Sequence, residues 1–386
     1  MSNMQSSPSS VYLDHASTTI IDARVADLVF EVMTEEFGNA GSRTHEYGLA
    51  ALRHVNLARE RLAKAVGAEP DEVIFTSGAT ESNNIALLGL AEEGLCSGRR
   101  HIVSTAIEHK AVLEPLARLE SQGFEVNRIA PMRSGHVRAE DVLSAVRPDT
   151  LLLSVMHANN ETGAIQPIEE IAAGLDPDGP YLHVDAAQAF GRKTETLRNP
   201  RIDLLSLSAH KVFGPKGVGA LIARRRGMRR PPLVPLMVGG GQERGLRPGT
   251  QPVPLIAGFG LAAELAAGEE KTRMEQCLAI RGRALAALER LRAVVHGDPQ
   301  IGVLPNILSF AVPGIDSEAL MVALKGKAAI SNGSACTSSK YEPSHVLKAM
   351  GLPEDEVAGT VRISWSHSTG DVDWDGIVDR LDDLRI

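Results

Sequence analysis

Short apolar runs alternate with stretches of helical apolar spacing over the first two thirds of the chain. The runs lie at residues 73–75, 102–103, 126–129, 151–156, 182–184, 204–207 and 220–223. Between them apolar residues recur every three or four positions, which is typical of amphipathic helices. This alternation indicates strand–helix–strand crossover units. It predicts an α/β fold with a mostly parallel sheet covered by helices on both faces.

The pattern changes near Arg247, where R-P-G-T-Q-P-V-P interrupts the alternation and an alanine- and leucine-rich helical stretch follows. Strands are predicted at 306–312 and 361–365, with helices at 316–324 and around Trp374. These fewer, separated elements predict a smaller α+β domain. We expect a large domain at 21–262, a small domain at 263–386, and an N-terminal segment at 1–20 that packs with the small domain.

Composition narrows the functional classes. The 386 residues are 43% hydrophobic and 23% charged, with 48 acidic against 40 basic residues and a formal charge of -8. This balance argues against direct nucleic-acid binding and against anionic membranes. The most apolar later stretch, 255–267, is too short to span a bilayer. Three cysteines without metal-ligand spacing predict no metal site and a reducing, cytoplasmic compartment.

Candidate chemistry follows the apolar run at 204–207, where S-A-H-K places Ser208, His210 and Lys211 at the end of a predicted strand. Ligands of open α/β sheets bind beyond the carboxyl ends of the strands. A lysine there can become an amine nucleophile when desolvation or a second cation lowers its pKa. The stretch alone favours neither this nor an ordinary solvated lysine.

Four further strand ends carry polar side chains. In F-T-S-G-A-T-E, backbone N–H groups and the Thr80 hydroxyl can bind an anion. The alternative is that this stretch only caps the helix that follows. Asp185 is the last residue of L-H-V-D. Its carboxylate can either bind a cation or cap the next helix. His109 and Asn160 follow two other strands. Pyridoxal phosphate requires a lysine, a carboxylate, a phosphate cradle and a ring-stacking group together, so the five ends jointly indicate that cofactor.

A set of motifs carries a family resemblance over nearly the whole chain. They are Y-L-D-H-A-S-T-T, F-T-S-G-A-T-E-S-N-N, E-H-K-A-V, M-H-A-N-N-E-T-G, H-V-D-A-A-Q, S-A-H-K-V-F-G-P-K-G-V-G-A-L, G-G-G-Q-E-R-G-L-R-P-G-T, L-P-N-I-L, S-N-G-S-A-C-T-S and V-R-I-S. In these the chain resembles the NifS/IscS-type cysteine desulfurases of the class V aminotransferase group. The resemblance implies a pyridoxal-phosphate-dependent transferase of fold type I, whose sheet is mostly parallel and has seven strands.

The resemblance also implies roles for individual residues. Lys211 would bind the cofactor covalently, Asp185 would pair with its ring nitrogen, and His109 would stack on the ring and move protons. The remaining cofactor contacts would come from Ala79, Thr80, Asn160, Gln188, Ser208, His210 and Thr250. Thr250 would reach the phosphate of a neighbouring subunit, which implies a homodimer. Lys216, in a glycine-proline turn, is the poorer choice for the covalent lysine.

Two residues would distinguish a desulfurase from an ordinary aminotransferase. By resemblance, Arg362 would bind the substrate carboxylate, with Asn160 nearby. Cys336, in a loop of small residues, would attack the sulfur of L-cysteine, leaving L-alanine and a persulfide for a sulfur-acceptor protein. The acceptor could serve iron-sulfur clusters, tRNA or DNA phosphorothioation. The alternatives are an aminotransferase or selenocysteine lyase of the same fold, and a scaffold protein without chemistry.

Four local features also carry expectations from the sequence. The first loop, G-N-A-G-S-R-T-H, departs from the usual family pattern at Ala40 and Gly41 and resembles desulfurases of DNA phosphorothioation. Asn332 replaces a serine common in the family's cysteine loop. A-G-F-G-L-A-A fits a dinucleotide fingerprint loosely but follows prolines, so it predicts helix packing. The basic cluster R-R-R-G-M-R-R predicts a solvated hairpin end, with docking of an acidic partner as the alternative.

Overall fold

The computed structural model describes residues 10–332 and 343–385. Its strands are β1 (Val11–Tyr12), β2 (Val73–Thr76), β3 (His101–Thr105), β4 (Glu125–Ile129), β5 (Thr150–Met156), β6 (Tyr181–Asp185), β7 (Leu204–Ser208), β8 (Gly219–Ala223), β9 (Val294–His296), β10 (Ile307–Ala311), β11 (Ala328–Ala329) and β12 (Thr360–Ser364). Its α-helices are α1 (Ala23–Thr34), α2 (Glu46–Val66), α3 (Ala79–Leu88), α4 (Ala91–Ser97), α5 (Lys110–Ser121), α6 (Ala139–Ser144), α7 (Ile168–Gly174), α8 (Val253–Glu289), α9 (Ser317–Ala323), α10 (His345–Ala349), α11 (Glu354–Gly359) and α12 (Trp374–Asp382).

Seven strands form one sheet in the order β2-β8-β7-β6-β5-β3-β4. β8 runs antiparallel to both of its neighbours, and the other pairs are parallel. The carboxyl ends of β3, β5, β6 and β7 therefore lie along the same edge, where loops can meet a ligand. This sheet confirms the predicted α/β fold and each of the seven strands expected from the apolar runs.

Helices cover both faces of this sheet. On one face α1, α2 and α8 pack with alternate strand residues such as Val184 and Leu205, all fully buried. On the other face α3 and α5 pack with the intervening residues, among them Leu204 and Leu221. Strands buried on both faces are apolar throughout, which is why the runs show no alternation of polar and apolar residues.

A second core lies around the antiparallel sheet β12-β10-β9. Trp365 and Ile363 are buried there against α12 and against the second half of α8, from Cys277 to Leu288. The two-residue strand β1 pairs in parallel with β11, and Leu13, which follows it, is fully buried in the same core. The first half of α8 belongs to the core of the large sheet. The domain division at residue 262 stays a prediction.

Two glycines let α8 approach the other helices closely. A Cβ at Gly258 would lie 2.5 Å from Val29 Cγ2 on α1, and one at Gly260 would lie 2.4 Å from Ala58 Cα on α2. Any larger residue would force these helices apart. The glycines of A-G-F-G-L-A-A therefore serve helix packing, as predicted.

The basic cluster at 224–230 differs from the expected solvated hairpin end. Arg226 and Arg229 do pair in an antiparallel bridge. However, Arg224 is buried and donates to three backbone carbonyls, those of Ile202, Val66 and Leu197. Arg226 binds both carboxylate oxygens of Asp203. The prediction was wrong for these two arginines, because carbonyl and carboxylate acceptors from distant parts of the chain bind them.

Three remaining expectations concern membranes, metals and cysteines. No helix within the described residues is long and apolar enough to cross a membrane. The described part of the chain also holds no group of three or more His, Cys, Asp and Glu side chains placed to bind a metal ion. Cys96 is exposed, whereas Cys277 is buried, and its burial raises the pKa of the Cys277 thiol to about 11. Cys336 lies outside the described residues.

Candidate active site

A cavity of about 440 Å³ opens at the carboxyl edge of the seven-stranded sheet. Its volume is in the range of small-molecule sites. The predicted site residues that line it are Ala79, Thr80, His109, Asn160, Asp185, Gln188, Ser208, His210, Lys211 and Arg362. They come from six separate strand ends or turns, and the fold of the sheet is what brings them together.

Lys211 enters the cavity from a single 3-10 turn, residues Ala209–Lys211, that follows β7. Its Nζ donates to the carbonyl oxygens of Ala16 and Ser17, the latter at 2.7 Å. Its own carbonyl accepts a hydrogen bond from Arg192 at 2.8 Å. The amine is thus held at the cavity wall by backbone groups. Lys216 lines the same cavity from an exposed turn, so position alone does not exclude it.

Asp185 ends β6 and is only 5% exposed. Its Oδ1 accepts from the backbone N–H of Ala187 at 2.9 Å. Its Oδ2 accepts from Asn83 Nδ2 at 2.7 Å. Because an ionised carboxylate has about four acceptor positions, capacity remains for a donor inside the cavity.

His109 is the N-cap of α5, and its Nδ1 accepts from the backbone N–H of Ala111 at 3.0 Å. In the neutral ring the proton is therefore on Nε2. Burial lowers the pKa of His109, and the positive charge of Lys211 lowers it further, while Asp185 raises it. The side chain is a neutral imidazole at neutral pH, able to donate from Nε2.

The turn from β2 into α3 forms an anion cradle. Gly78 has φ +156°, a conformation that only glycine adopts readily. A Cβ on Gly219 would lie 2.6 Å from Gly78 Cα, so the close approach of the two backbones requires glycine at position 219. The first N–H groups of α3 are left without helical partners at its positive end. Ser208 and Thr80 line the cavity at the same point.

His210 also lines the cradle. Its Nδ1 is 3.1 Å from Thr18 Oγ1. Burial lowers the pKa of His210 to about 4, and the charges of Lys211 and Lys216 lower it further. A neutral His210 can donate one ring N–H to an anion without adding charge.

Arg362 lies on β12, in the other sheet, and is almost fully buried. As predicted, its neighbours Val361, Ile363 and Trp365 face the core while Arg362 faces the cavity. It donates to the carbonyl of Asn160 at 2.8 Å, to Asp14 Oδ1 at 2.7 Å and to Ser17 Oγ at 2.9 Å. Its Nε has no partner among the described residues.

Gln188 also lines the cavity. Its Nε2 donates to the carbonyl of Ala16 at 2.8 Å. Its Oε1 is buried and has no hydrogen-bond partner within residues 10–332 and 343–385. An orphaned acceptor of this kind in a cavity wall indicates a ligand donor at that position.

One predicted site residue, Thr250, does not join the others. Thr250 is exposed and does not line the cavity of its own chain. Cys336 lies outside the described residues, but the residues on either side of that segment contact the site. Ser331 pairs with Arg362 through their backbones, and Ser344 Oγ donates to Glu161 Oε2 at 2.5 Å.

Sequence reasoning missed several residues that support the site: Asp14, Ser17, Asn83, Glu108 and Arg192. Asn83 had a signal, because it follows Ala79 by four residues and so lies on the same face of α3. Arg192 gave none, because its partners are backbone carbonyls at Gln188 and Lys211. Such contacts depend on the fold and leave no trace in local sequence.

The chain matches the family model described as aminotransferase class-V over residues 11–373. The chain belongs to the aminotransferase class-V family. This family membership agrees with the resemblance seen in the sequence motifs. Among curated members, the cysteine desulfurase IscS of Escherichia coli K12 is 42% identical over 362 residues, which cover 93% of this chain and 88% of that protein.

Solved structures of similar proteins agree with the class-V assignment. DndA from Streptomyces lividans is 53% identical, with a TM-score of 0.81, covering 92% of this chain and 99% of that one. A NifS-like protein is 37% identical, with a TM-score of 0.89, covering 97% and 99% respectively. The similarity extends over almost the whole chain, so it includes both the cavity and the second core.

The cavity residues fit the cofactor that class-V membership implies, pyridoxal phosphate. The turn at Gly78 suits a phosphate, because Gly78, Ala79, Thr80 and Ser208 line the cavity at the point where α3 begins. Asp185 presents a buried carboxylate with remaining acceptor capacity, and Gln188 Oε1 is a buried acceptor without a partner. Lys211 supplies the only amine that the resemblance assigns to covalent binding.

Proposed function

We propose that this chain is a cysteine desulfurase that uses pyridoxal phosphate. It converts L-cysteine and the Cys336 thiol into L-alanine and a Cys336 persulfide. The observation that carries the proposal is the convergence of Lys211, Asp185, His109 and Arg362 on one cavity. The curated relative named as a cysteine desulfurase supports this chemistry over the aminotransferase and selenocysteine lyase alternatives.

The residues would share the work as follows. Lys211 would hold the cofactor covalently, Asp185 its ring nitrogen, and Ala79, Thr80, Ser208 and His210 its phosphate. Asn160 and Gln188 would lie near the ring oxygen. When bound, the cofactor supplies an electron sink for the carbanion formed at the substrate Cα.

Substrate binding would depend on Arg362. Its guanidinium is held by the Asn160 carbonyl, Asp14 and Ser17, so it is oriented before substrate arrives. A planar guanidinium can bind a carboxylate through two N–H groups. This contact would orient the substrate within the cavity by its carboxylate.

Proton movement would involve Lys211 and His109. The Lys211 amine would act as the base that takes the proton from the substrate Cα. His109, neutral because burial lowers its pKa, can accept or donate a proton beside the departing sulfur. The Cys336 thiolate attacks that sulfur: the new S–S bond takes the place of the Cβ–S bond, whose electrons and one proton go to Cβ to form alanine.

The test is an assay of the purified protein with L-cysteine, pyridoxal phosphate and a thiol reductant, measuring alanine and released sulfide. We expect equal amounts of both products from wild type and from Cys96→Ala, the control at an exposed cysteine. Lys211→Ala and Cys336→Ala should lower turnover by at least about 100-fold, since each removes a group that bonds covalently. Full turnover in Cys336→Ala would rule out the persulfide step.

We further propose a homodimer, with Thr250 of each chain reaching the phosphate of its partner. The support is that Thr250 is exposed and absent from its own cavity, and that large apolar side chains of α1 and its surroundings are also exposed.

The net charge of -8 supports a sulfur-acceptor protein instead of direct contact with nucleic acid. We propose a cytoplasmic location on the basis of the cysteine content.

Two observations favour DNA phosphorothioation among the three candidate pathways for the sulfur. The first loop, residues 38–45, resembles that of desulfurases of DNA phosphorothioation. The identity with DndA, 53%, exceeds the 42% with IscS. Copurification of the persulfide form with its acceptor from the native host would identify the pathway, and an iron-sulfur scaffold as the acceptor would contradict this proposal.

A further inference from the structure

Asn83 holds the Asp185 carboxylate from the side opposite the backbone. Its Nδ2 lies 2.7 Å from Asp185 Oδ2, while Ala187 N–H binds Oδ1 at 2.9 Å. An ionised carboxylate only accepts hydrogen bonds, so the amide must present its NH2 group to it. The two donors, one on each oxygen, fix the plane of the carboxylate.

The location of Asn83 makes this contact rigid. It lies one turn after Ala79 on α3, which begins at the anion cradle. Asn83 is 0% exposed, and its helix is anchored by Ile85 and Leu87 in the core of that sheet face. A side chain on a packed helix is held more precisely than one on a loop.

Only the nitrogen of the Asn83 side-chain amide has a hydrogen-bond partner among the described residues. Asn83 Oδ1 is buried without a hydrogen-bond partner among the described residues. Leaving a buried acceptor unpaired costs free energy, and a leucine would occupy similar volume without that cost. The donation from Nδ2 to Asp185 is therefore what explains an asparagine at this position.

We propose that Asn83 is a positioning residue for Asp185, orienting its carboxylate toward the pyridinium nitrogen of the cofactor. This inference rests on the proposed cofactor of the previous section. It assigns two tasks to α3: the first turn would hold the phosphate, and the second turn would orient the carboxylate that pairs with the ring nitrogen. One rigid helix then sets the distance between the two sites that hold the cofactor.

The test measures cofactor binding, independent of turnover. Apoprotein of wild type, Asn83→Leu and the control Asn84→Leu is titrated with pyridoxal phosphate, and the ring nitrogen is followed by NMR of the ¹⁵N-labelled cofactor. Asn84 is the adjacent asparagine of α3, and it donates to the Thr80 carbonyl without lining the cavity. We expect Asn83→Leu to bind about 10- to 100-fold more weakly, as for a lost hydrogen bond to a charged group.

The ¹⁵N signal of the cofactor ring distinguishes a loss of Asp185 orientation from a general loss of structure in the variant. In Asn83→Leu it should move toward the value of an unprotonated pyridine, because the carboxylate no longer points at the nitrogen. Asn84→Leu should keep the wild-type signal and affinity. Wild-type affinity and signal in Asn83→Leu would overturn the inference, and so would equal weakening in both variants.

If Asn83→Leu does not fold, a second variant, Asn83→Asp, tests the same contact. Asn83→Asp has the same shape but donates only when its new carboxyl is protonated. Its affinity relative to wild type at the same pH should improve as the pH is lowered; a pH-independent ratio would overturn the inference. Wild type that binds the cofactor without releasing sulfur would contradict the desulfurase proposal alone, whereas an unchanged Asn83→Leu in an active enzyme would contradict only the role of Asn83.

Discussion

Glu108 is a buried carboxyl directly beside the proposed stacking residue His109. Its Oε1 accepts from Thr105 Oγ1 at 2.6 Å and from the Met156 backbone N–H at 2.9 Å. Its Oε2 has no partner within the described part of the chain. Burial raises the pKa of Glu108 to about 8, although both hydrogen bonds lower it, and nearby Asp185 raises it slightly. The group is therefore neutral at pH 7.

Glu108→Gln should change the pH dependence of stability. The folded pKa of Glu108 lies above its unfolded value, so its contribution is complete below about pH 4.5 and is lost as the pH rises toward 8. Glutamine keeps an acceptor for both donors and never ionises. The variant should match wild type near pH 5 and exceed its melting temperature by at least about 2 °C at pH 8.5. A constant difference across this range, measured by calorimetry, would contradict the buried neutral acid.

The placement of residues at strand ends was predictable from the sequence, while their roles stay predictions. Lys211, Asp185 and His109 were predicted because each follows an apolar run, and the structure brings them into one cavity. The roles of Asn83, Glu108 and Arg192 were not predicted, because each acts on a group far away in the chain. Residue type shows what a side chain can do, whereas the partner depends on packing.

At the scale of elements, Glu243 connects the glycine-rich segment before α8 to the edge of the sheet. Its carboxylate accepts two hydrogen bonds from Arg59 on α2, at 2.8 and 3.0 Å. It also accepts from the Phe75 backbone N–H at 2.9 Å and from Gln251 Nε2 at 2.5 Å. Glu243 itself has φ +46°, an uncommon conformation for this residue type. The carboxylate thus fixes the segment that carries Thr250.

Glu243→Gln should lower the free energy of unfolding by about 3 kcal/mol, because it leaves Arg59 largely buried without its counter-charge. The matched control is Glu264→Gln, which breaks the ion pair between Arg61, also on α2, and an exposed carboxylate on α8. That change should cost less than about 1 kcal/mol. Urea unfolding of the two variants measures the contrast; equal losses would show that Glu243 contributes no more than a surface pair.

The predicted elements differ in how well the sequence specified them. The seven strands of the large sheet were predicted within one or two residues; apart from the partly exposed edge strand β4, they are almost entirely buried, and such apolar runs are distinctive. The pair β1 and β11 was missed, because two residues each give no pattern and their partners are more than 300 positions apart. Helix α2 ends at Gly67, which has φ +66°, as expected for a glycine cap.

At the scale of the whole molecule, exposed apolar side chains gather around α1. Phe30, Met33, Phe37 and Tyr47 are each more than half exposed, and the rings of Phe37 and Tyr47 lie 5.5 Å apart. Single exposed apolar residues are ordinary, but a group of large ones indicates a contact surface. A second copy of this chain is the proposed occupant.

Replacing Phe30 and Met33 together by aspartate should convert the proposed dimer to a monomer and weaken cofactor binding, because Thr250 would no longer reach the partner's phosphate. Val322→Asp, at an equally exposed residue of α9, is the control and should remain dimeric. Light scattering coupled to size-exclusion chromatography gives the mass. A monomeric wild type, or a double variant that remains dimeric, would contradict this surface.

The second core has a consequence for any work with fragments of this protein. It takes Leu13 from the N-terminus, Cys277 to Leu288 from the end of a 37-residue helix, and Trp365 from near the C-terminus. A fragment that begins after Leu13 or ends before Trp365 loses at least one of these contributions. A C-terminal fragment expressed alone would expose the tryptophan and its neighbours to solvent, and proteins captured by it would report that exposed surface instead of a physiological acceptor. Mapping of the sulfur acceptor therefore requires the intact chain carrying point substitutions.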